Sequence, residues 1–503
     1  MPETSKADRV ERRQITHWIA GEPVLSTATL PVLDPATGQA VAEVCAADSA
    51  AVRQVVEAAA AAWPAWRDTP AASRARVLSR WALLLRDHRD ELADLITSEN
   101  GKTRDDAYGE IDRGVEALDA AASGVKGLKG EVTEQTGTNI DTSMAFHPLG
   151  VCVGITPFNF PVMVPLAQAS FAVAAGNSFV CKPSEQDPGP TLLLAKLAVE
   201  AGLPPGIFNV INGRSDVAEQ LIEDPDVRAI AFVGSTPVAR RVYAAAAAAG
   251  KRVQAFGGAK NHLVVMPDAQ VSAAADALIS AAFGSAGQRC MAITTAVAVG
   301  DVADELITEL AQRAKQIRVG AAVDAKSEMG PLISESAQQR VRQLVADAID
   351  AGAVPVVDRS AEQPADCPAG YFAGPTVLDD VTPAMEVYKK EVFGPVLGIV
   401  RVETLEQAIE LIEKNPFGNG SAIFTRSGHA ARTFQRTVST GMVGVNIPIP
   451  VPVATYGFAG WKASAFGDTG LHDASWRFYT RPKYTTSRWD DTVAGIDLGF
   501  RPN

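Results

Sequence analysis

The sequence predicts an α/β protein built on a doubly wound parallel sheet, followed by a second α/β unit. Three observations predict it. From Gly150 onward, short apolar runs alternate with helical patterns and are punctuated by Gly or Pro, which is the rhythm of βαβ units. The same alternation restarts near Gly257. The chain has 503 residues, too many for one small core, so roughly two to four domains or one large α/β assembly are expected.

The elements follow in order. Asp48 stands where a capping side chain is needed before an alanine-rich helix through Val52, Val55 and Val56. A second helical pattern runs from about Ser73 to Asn100 and Gly101, a good C-terminal stop. A third carries Tyr108, Ile111, Val115 and Leu118 ahead of a glycine-rich stretch over 124–130. The alternating region then reads VCVGIT and a helix over 162–175, NSFVC and 190–201, FNVI and 216–223, AIAFV and 237–249, and finally VQAF. The alanine run 244–249 reads as helix surface, because alanine is the best helix former. The second unit continues through LVVM (263–266), a helix over 271–286 and TTAVAV. IPIPVPV (447–453) carries proline at every second position and cannot be a central strand, so it reads as a rigid extended loop. FYTRPKYTTSRW reads as an edge strand of the kind exchanged between subunits.

Composition narrows the function classes. Hydrophobic residues at 47% and charged residues at 21% are ordinary globular usage and argue against disorder. Acidic residues outnumber basic ones, 58 to 46, for a net charge of −12, which speaks against nucleic acid or anionic membranes as partners. The N-terminal MPETSKADRVERRQ has no apolar core and is not a secretory signal. The most membrane-like stretch, 161–181, contains Pro165, Gln168, Ser170, Gly176 and Asn177, fitting a buried helix, turn and strand instead. Five cysteines (Cys45, Cys152, Cys181, Cys290, Cys367) lack CxxC spacing. That pattern points to reduced thiols in the cytoplasm, with neither a disulfide framework nor a metal site.

Ligands of open α/β sheets sit beyond the carboxyl ends of the strands, beside helix N-termini. Three segments fall there: TPFNFP (156–161), CKPSE (181–185) and VGSTPVA (233–239). Lys182 and Glu185 can hold the two hydroxyls of a ribose, and a carboxylate there repels a 2′-phosphate; on the motif alone, a surface ion pair is slightly favoured. Gly234 lets a phosphate approach the backbone and Ser235 can cap the next helix, although a plain capped helix is the commoner meaning of such a segment, and no G-x-G-x-x-G is present. Cys290 lies in GSAGQRCMAITTAVAV, in a Gly-bounded turn beside Arg289, which favours a thiolate. Cysteine is nonetheless more often a small buried hydrophobe. Asn159 and the Cys290 backbone N–H form an oxyanion hole if they face each other; taken singly, Asn159 is a turn residue. His262 reads as a satisfied core or turn histidine.

Taken together, TPFNFP, KPSE, FVGSTPVA, GQRC and EVFGPV (391–396) resemble the aldehyde dehydrogenase superfamily in order and distance across nearly the whole chain. The resemblance implies that Cys290 is the nucleophile and that Asn159 supports the oxyanion. It implies NAD as cofactor, held by Thr156, Phe158, Lys182, Glu185, Gly234, Ser235, Glu391 and Phe393. A finer resemblance, carried by GAKNH (258–262), GQRCMA, PIPVP, GWKAS and FYTRPKYTTSRW, is to the CoA-acylating methylmalonate-semialdehyde (malonate-semialdehyde) branch. It implies CoA as co-substrate and an acidic small-molecule semialdehyde whose carboxylate is taken by Arg113 and Arg289, with Phe458 also at the substrate. A guanidinium suits bidentate carboxylate capture, although Arg113 without the resemblance reads as a solvated helix face.

Four residues before Lys260, general members have a glutamate that activates water and the acylating branch has asparagine; this chain has Phe256, which cannot accept a proton. FGDTGLHDASWRFYT also departs from the branch's glycine-rich version. The implied architecture is an NAD-binding domain over 1–126 and 148–256, a catalytic domain over 257–455, and a small β oligomerisation element over 127–147 and 470–492. A homodimer or homotetramer is expected, because the C-terminal strand otherwise leaves an open edge. The alternatives are a hydrolytic aldehyde dehydrogenase that forms a free acid, and a non-catalytic binding protein of the same fold.

Overall fold

A computed structural model describes residues 12–467 and 470–489 of the chain. Among the described residues, one sheet has eight strands in the order Ala465–Phe466, Arg252–Phe256, Val227–Val233, Val151–Ile155, Ser178–Lys182, Phe208–Val210, His17–Ile19 and Glu22–Val24. The five from Arg252–Phe256 to Phe208–Val210 are parallel, and the flanking strands pair antiparallel. Val151–Ile155 comes first of these five in the chain and lies in their middle. The chain winds outward from it to one side and then to the other, which makes the sheet doubly wound. Helices cover both faces, so VCVGI and SFVCK are apolar or buried at every position.

A second, seven-stranded sheet has the order Val354–Val357, Thr376–Asp379, Val396–Val402, Ile293–Val299, Asn261–Val265, Gly420–Phe424 and Met442–Val445. All its pairings are parallel except the first. In a smaller sheet, the hairpin Glu131–Gly137 and Ile140–Pro148 is joined by Thr480–Arg488, which pairs with Ile140–Pro148 along its whole length. Val132 and Tyr484 on this sheet are 72% and 70% exposed.

Three local readings need correction. The helical pattern starting near Ser73 is two helices, Ala71–Asp87 and Arg89–Asn100, broken at His88. Gly101 does end the second, at φ +83°. The helix read over 271–286 stops at Phe283, because Ser285 and Ala286 both turn left-handed. Phe478 and Tyr479 are not part of the exposed strand: both are buried and the strand begins at Thr480. Trp476 packs edge-on to Phe171 of the helix Met163–Ala174 at 5.3 Å and Tyr479 edge-on to Phe179 of the first sheet at 6.5 Å, anchoring the C-terminal segment on both. Asp48 caps its helix through Ala51 N–H at 2.8 Å, and 447–453 is irregular. No helix among the described residues is long and apolar enough to cross a membrane. Of the spans expected for the domains, 1–11 and 490–492 lie outside the described residues.

Candidate active site

The winding of the first sheet leaves a crevice above the carboxyl ends of Val151–Ile155 and Val227–Val233, where the strand order reverses. A cavity of about 860 Å³ opens there, lined by Thr156, Phe158, Asn159, Lys182, Glu185, Gly234, Ser235, Cys290, Glu391 and Phe393. Lys182 and Glu185 do form the ion pair favoured by the motif, at 3.4 Å, and both line this cavity. Lys182 is buried and its pKa is lowered by that burial. Gly234 is required by its neighbour: a Cβ there would stand 2.5 Å from the Phe232 ring. Ser235 occupies the N-cap of Thr236–Ala248, yet its side chain makes no capping bond. The N–H groups of that first turn are therefore left to an anion, as a pyrophosphate site needs. These features fit a dinucleotide.

Cys290 sits across the crevice. It is half-buried, whereas Cys45, Cys152, Cys181 and Cys367 are buried. After the left-handed Ser285 and Ala286 and Gly287 at φ +70°, the chain swings into the turn that carries it. Its carbonyl accepts from Asn261 Nδ2 at 2.8 Å and from Asn419 Nδ2 at 3.1 Å. Asn159 Nδ2 donates to Gln288 O at 2.9 Å, which sets the amide beside the cysteine turn with its second N–H uncommitted to that bond. Behind it, the buried Lys102 donates to Asn159 O and to Glu110, whose other oxygen accepts from Val162 N and Met163 N at the start of Met163–Ala174. Burial, and next Glu391, push the Cys290 thiol up to about 12. Arg289 does not offset this as the sequence suggested: its guanidinium pairs with Asp106, and Asp106 also accepts from Ser285 N.

On the far wall, Glu391 Oε1 accepts from Ala259 N at 2.9 Å, and a Cβ on Gly258 would meet Glu391 Oε2 at 2.3 Å. Burial raises the Glu391 carboxyl to about 7 and lowers the Lys260 ammonium to about 7. Phe393 holds φ +50°, a conformation that bulky residues adopt only under constraint. Its ring meets Phe158 edge-on at 5.8 Å.

A second cavity, of about 360 Å³, lies on the other side of Cys290 and is lined by Arg113, Arg289, Phe256 and Phe458 among others. Cys290, Val233 and Gly257 belong to both walls. Arg113 donates to Glu116 at 2.7 Å, and Phe256 meets Phe458 edge-on at 5.7 Å. The structure thus brings every expected site residue to one of the two cavities.

Comparison with known proteins agrees with this geometry. The profile of the aldehyde dehydrogenase family matches residues 21–485. The chain belongs to the aldehyde dehydrogenase family. A malonate-semialdehyde dehydrogenase of Pseudomonas aeruginosa is 48% identical over 94% of this chain and 96% of its own. A methylmalonate-semialdehyde dehydrogenase of Oceanimonas doudoroffii is 46% identical, with TM-score 0.94 over 95% of this chain and 99% of its own. A putative methylmalonate-semialdehyde dehydrogenase of Sinorhizobium meliloti, solved with NAD, is 45% identical, with TM-score 0.95 over 96% of this chain and 100% of its own.

Several residues of this aldehyde dehydrogenase site escaped the sequence reading. Arg340 lines the larger cavity and donates to Val392 O next to Glu391; it comes from a helix with no motif of its own. Asn261 and Asn419 hold the Cys290 carbonyl. Asn261 stood inside GAKNH, so its presence was visible and its task was not. Glu116 and His472 line the smaller cavity, and only the departure of FGDTGLHDASWRFYT from the branch pattern drew attention to the latter. His262 keeps its structural reading: it is buried, with Nε2 3.0 Å from Tyr388 Oη.

Proposed function

We propose that this protein oxidises malonate or methylmalonate semialdehyde with NAD, forming acetyl-CoA or propionyl-CoA and releasing CO₂. The observation that carries the reading is Cys290 on the shared wall of a dinucleotide-sized crevice and a smaller cavity holding two arginines, with Phe256 where a water-activating carboxylate would stand. The Cys290 sulfur, once deprotonated, adds to the aldehyde carbon, and the oxygen that becomes negative is received by the Asn159 amide and the Cys290 N–H. When bound, NAD supplies the hydride acceptor. Lys182 and Glu185 would hold its adenosine ribose, the N-terminus at Gly234 and Ser235 would receive its pyrophosphate, and Glu391 with Phe393, beside Thr156 and Phe158, would hold its other ribose. Loss of hydride leaves an acyl thioester on Cys290. The substrate carboxylate, oriented by Arg113 and Arg289 beside Phe458, leaves as CO₂; the electron pair of the broken C–C bond stays on the α-carbon, which takes up a proton from water. The CoA thiol then takes the acyl group and returns the Cys290 thiol.

Phe256 explains the choice of acceptor. A phenyl ring cannot take a proton from water, whereas a thiol nucleophile needs less assistance. We assign the NAD-binding domain to 1–126 and 148–256, the catalytic domain to 257–455 and an oligomerisation element to 127–147 and 470–492. The exposed sheet of that element supports a homodimer or homotetramer, and the five free cysteines support a cytoplasmic setting. The test is a panel of aldehydes with NAD, with and without CoA. NADH and acyl-CoA should form from malonate semialdehyde only when CoA is present, and equal turnover to free acid without CoA would replace this reading with a hydrolytic one.

A further inference from the structure

The segment that carries Asn159 is held by side chains. Between Val151–Ile155 and Met163–Ala174 the chain is neither strand nor helix, so several of its peptide groups must find partners outside a regular ladder. Asn100 Nδ2 donates to Phe158 O at 2.9 Å and Thr191 Oγ1 to Pro161 O at 2.9 Å. Glu110 Oε1 accepts from Val162 N at 2.8 Å and from Met163 N at 3.2 Å. Asn159 itself falls to Lys102, whose ammonium donates to Asn159 O.

Lys102 is a buried cation with no ligand to serve. It stands in the turn between Arg89–Asn100 and Arg104–Ser123, is 4% exposed and lines neither cavity. Its ammonium pairs with Glu110, which is buried too, and lies 4.2 Å from the centre of the Phe160 ring. The three ammonium hydrogens thus face a carboxylate, a carbonyl and a ring. A neutral side chain could reach the carbonyl, but it would leave the Glu110 carboxylate buried without a counter-charge. The far end of Asn159 is tied as well, because its Nδ2 donates to Gln288 O at 2.9 Å in the turn before Cys290. Lys102 therefore sets the main chain of Asn159, and the main chain decides where the second amide hydrogen points.

We infer that Lys102 is a positioning residue for the oxidation step: by holding the Asn159 carbonyl it aims the Asn159 amide at the oxygen of the Cys290 adduct. The inference rests on the reading above that this amide receives the oxyanion.

The test follows the first turnover of NADH formation by stopped flow at saturating NAD. Malonate semialdehyde is the substrate, with propanal in parallel so that a preference for acids plays no part. Wild type, Lys102→Met, Asn159→Ala and the double variant are compared. Lys102→Met should lower the first-turnover rate about 10–100-fold, while the Kd of NAD and the KM of the aldehyde stay within about twofold. In the Asn159→Ala background the same replacement should cost less than about threefold, because the group it positions is gone. Should the unpaired Glu110 carboxylate keep Lys102→Met from folding, Lys102→Met with Glu110→Gln is read against Glu110→Gln alone. That pair removes both charges and keeps an oxygen for the Val162 and Met163 N–H groups. An equal fold-loss in both Asn159 backgrounds overturns the inference alone, as does a loss confined to the Kd of NAD. An Asn159→Ala protein with the wild-type first turnover overturns the oxyanion reading and this inference with it.

Discussion

The two cavities that meet at Cys290 are built by different means. The larger one is made of strand ends, a helix N-terminus and glycine-opened backbone, so it follows from the winding of the sheet. The smaller one is made of side chains from helix faces and loops far apart in sequence, and its arginines already have partners. Backbone geometry recognises what is common to all dinucleotides, whereas side chains distinguish one aldehyde from another. A change in the first should therefore alter cofactor use, and a change in the second should alter substrate choice, with little exchange between them.

The shared wall gives the largest effects. Cys290→Ala should reduce NADH formation by on the order of 10⁴-fold or more and Asn159→Ala by on the order of 10²–10³-fold in kcat. NAD titrated by tryptophan fluorescence should still bind the Cys290 variant. If binding is lost with the thiol, the cavities are not independent. Next comes Arg289→Ala, which should lower kcat/KM for an acidic semialdehyde roughly 10–100-fold and change the KM of NAD little; an equal loss for neutral aldehydes would mean that Arg289 serves the turn around Asp106 and Ser285 instead. The smallest effect is one of pH. Because Glu391 titrates near 7, its ionised, hydrogen-bond-accepting form is lost as the pH falls from 8 to 6. The KM of NAD should then rise several-fold on acidification, and Glu391→Gln should flatten the profile. A profile unchanged by that variant would remove Glu391 from ribose binding.

The same division decided how much could be read beforehand. TPFNFP, KPSE and VGSTPVA were legible because strand–turn–helix order alone puts their residues at the sheet's carboxyl edge. The effect of Arg289 on the Cys290 thiol was misread because its partner, Asp106, stands 183 residues earlier, and no spacing rule reports such a pairing. Ser235 was given a cap it does not make, since whether a hydroxyl turns onto its own helix depends on the cavity in front of it. The break at His88 interrupts a periodic pattern without Gly or Pro, and the burial of Phe478 and Tyr479 depends on aromatic rings contributed by the first sheet.

One detail of the surroundings of Cys290 bears on the order of events. With the Cys290 carbonyl held by two asparagine amides, Asn261 at the start of Asn261–Val265 and Asn419 just before the neighbouring Gly420–Phe424, the main chain there is a fixed pivot. The freedom left to the sulfur is rotation about its own Cα–Cβ bond, a movement of picoseconds to nanoseconds for an unhindered side chain. On the proposed mechanism, bond making, hydride departure and acyl handover can therefore share one pivot.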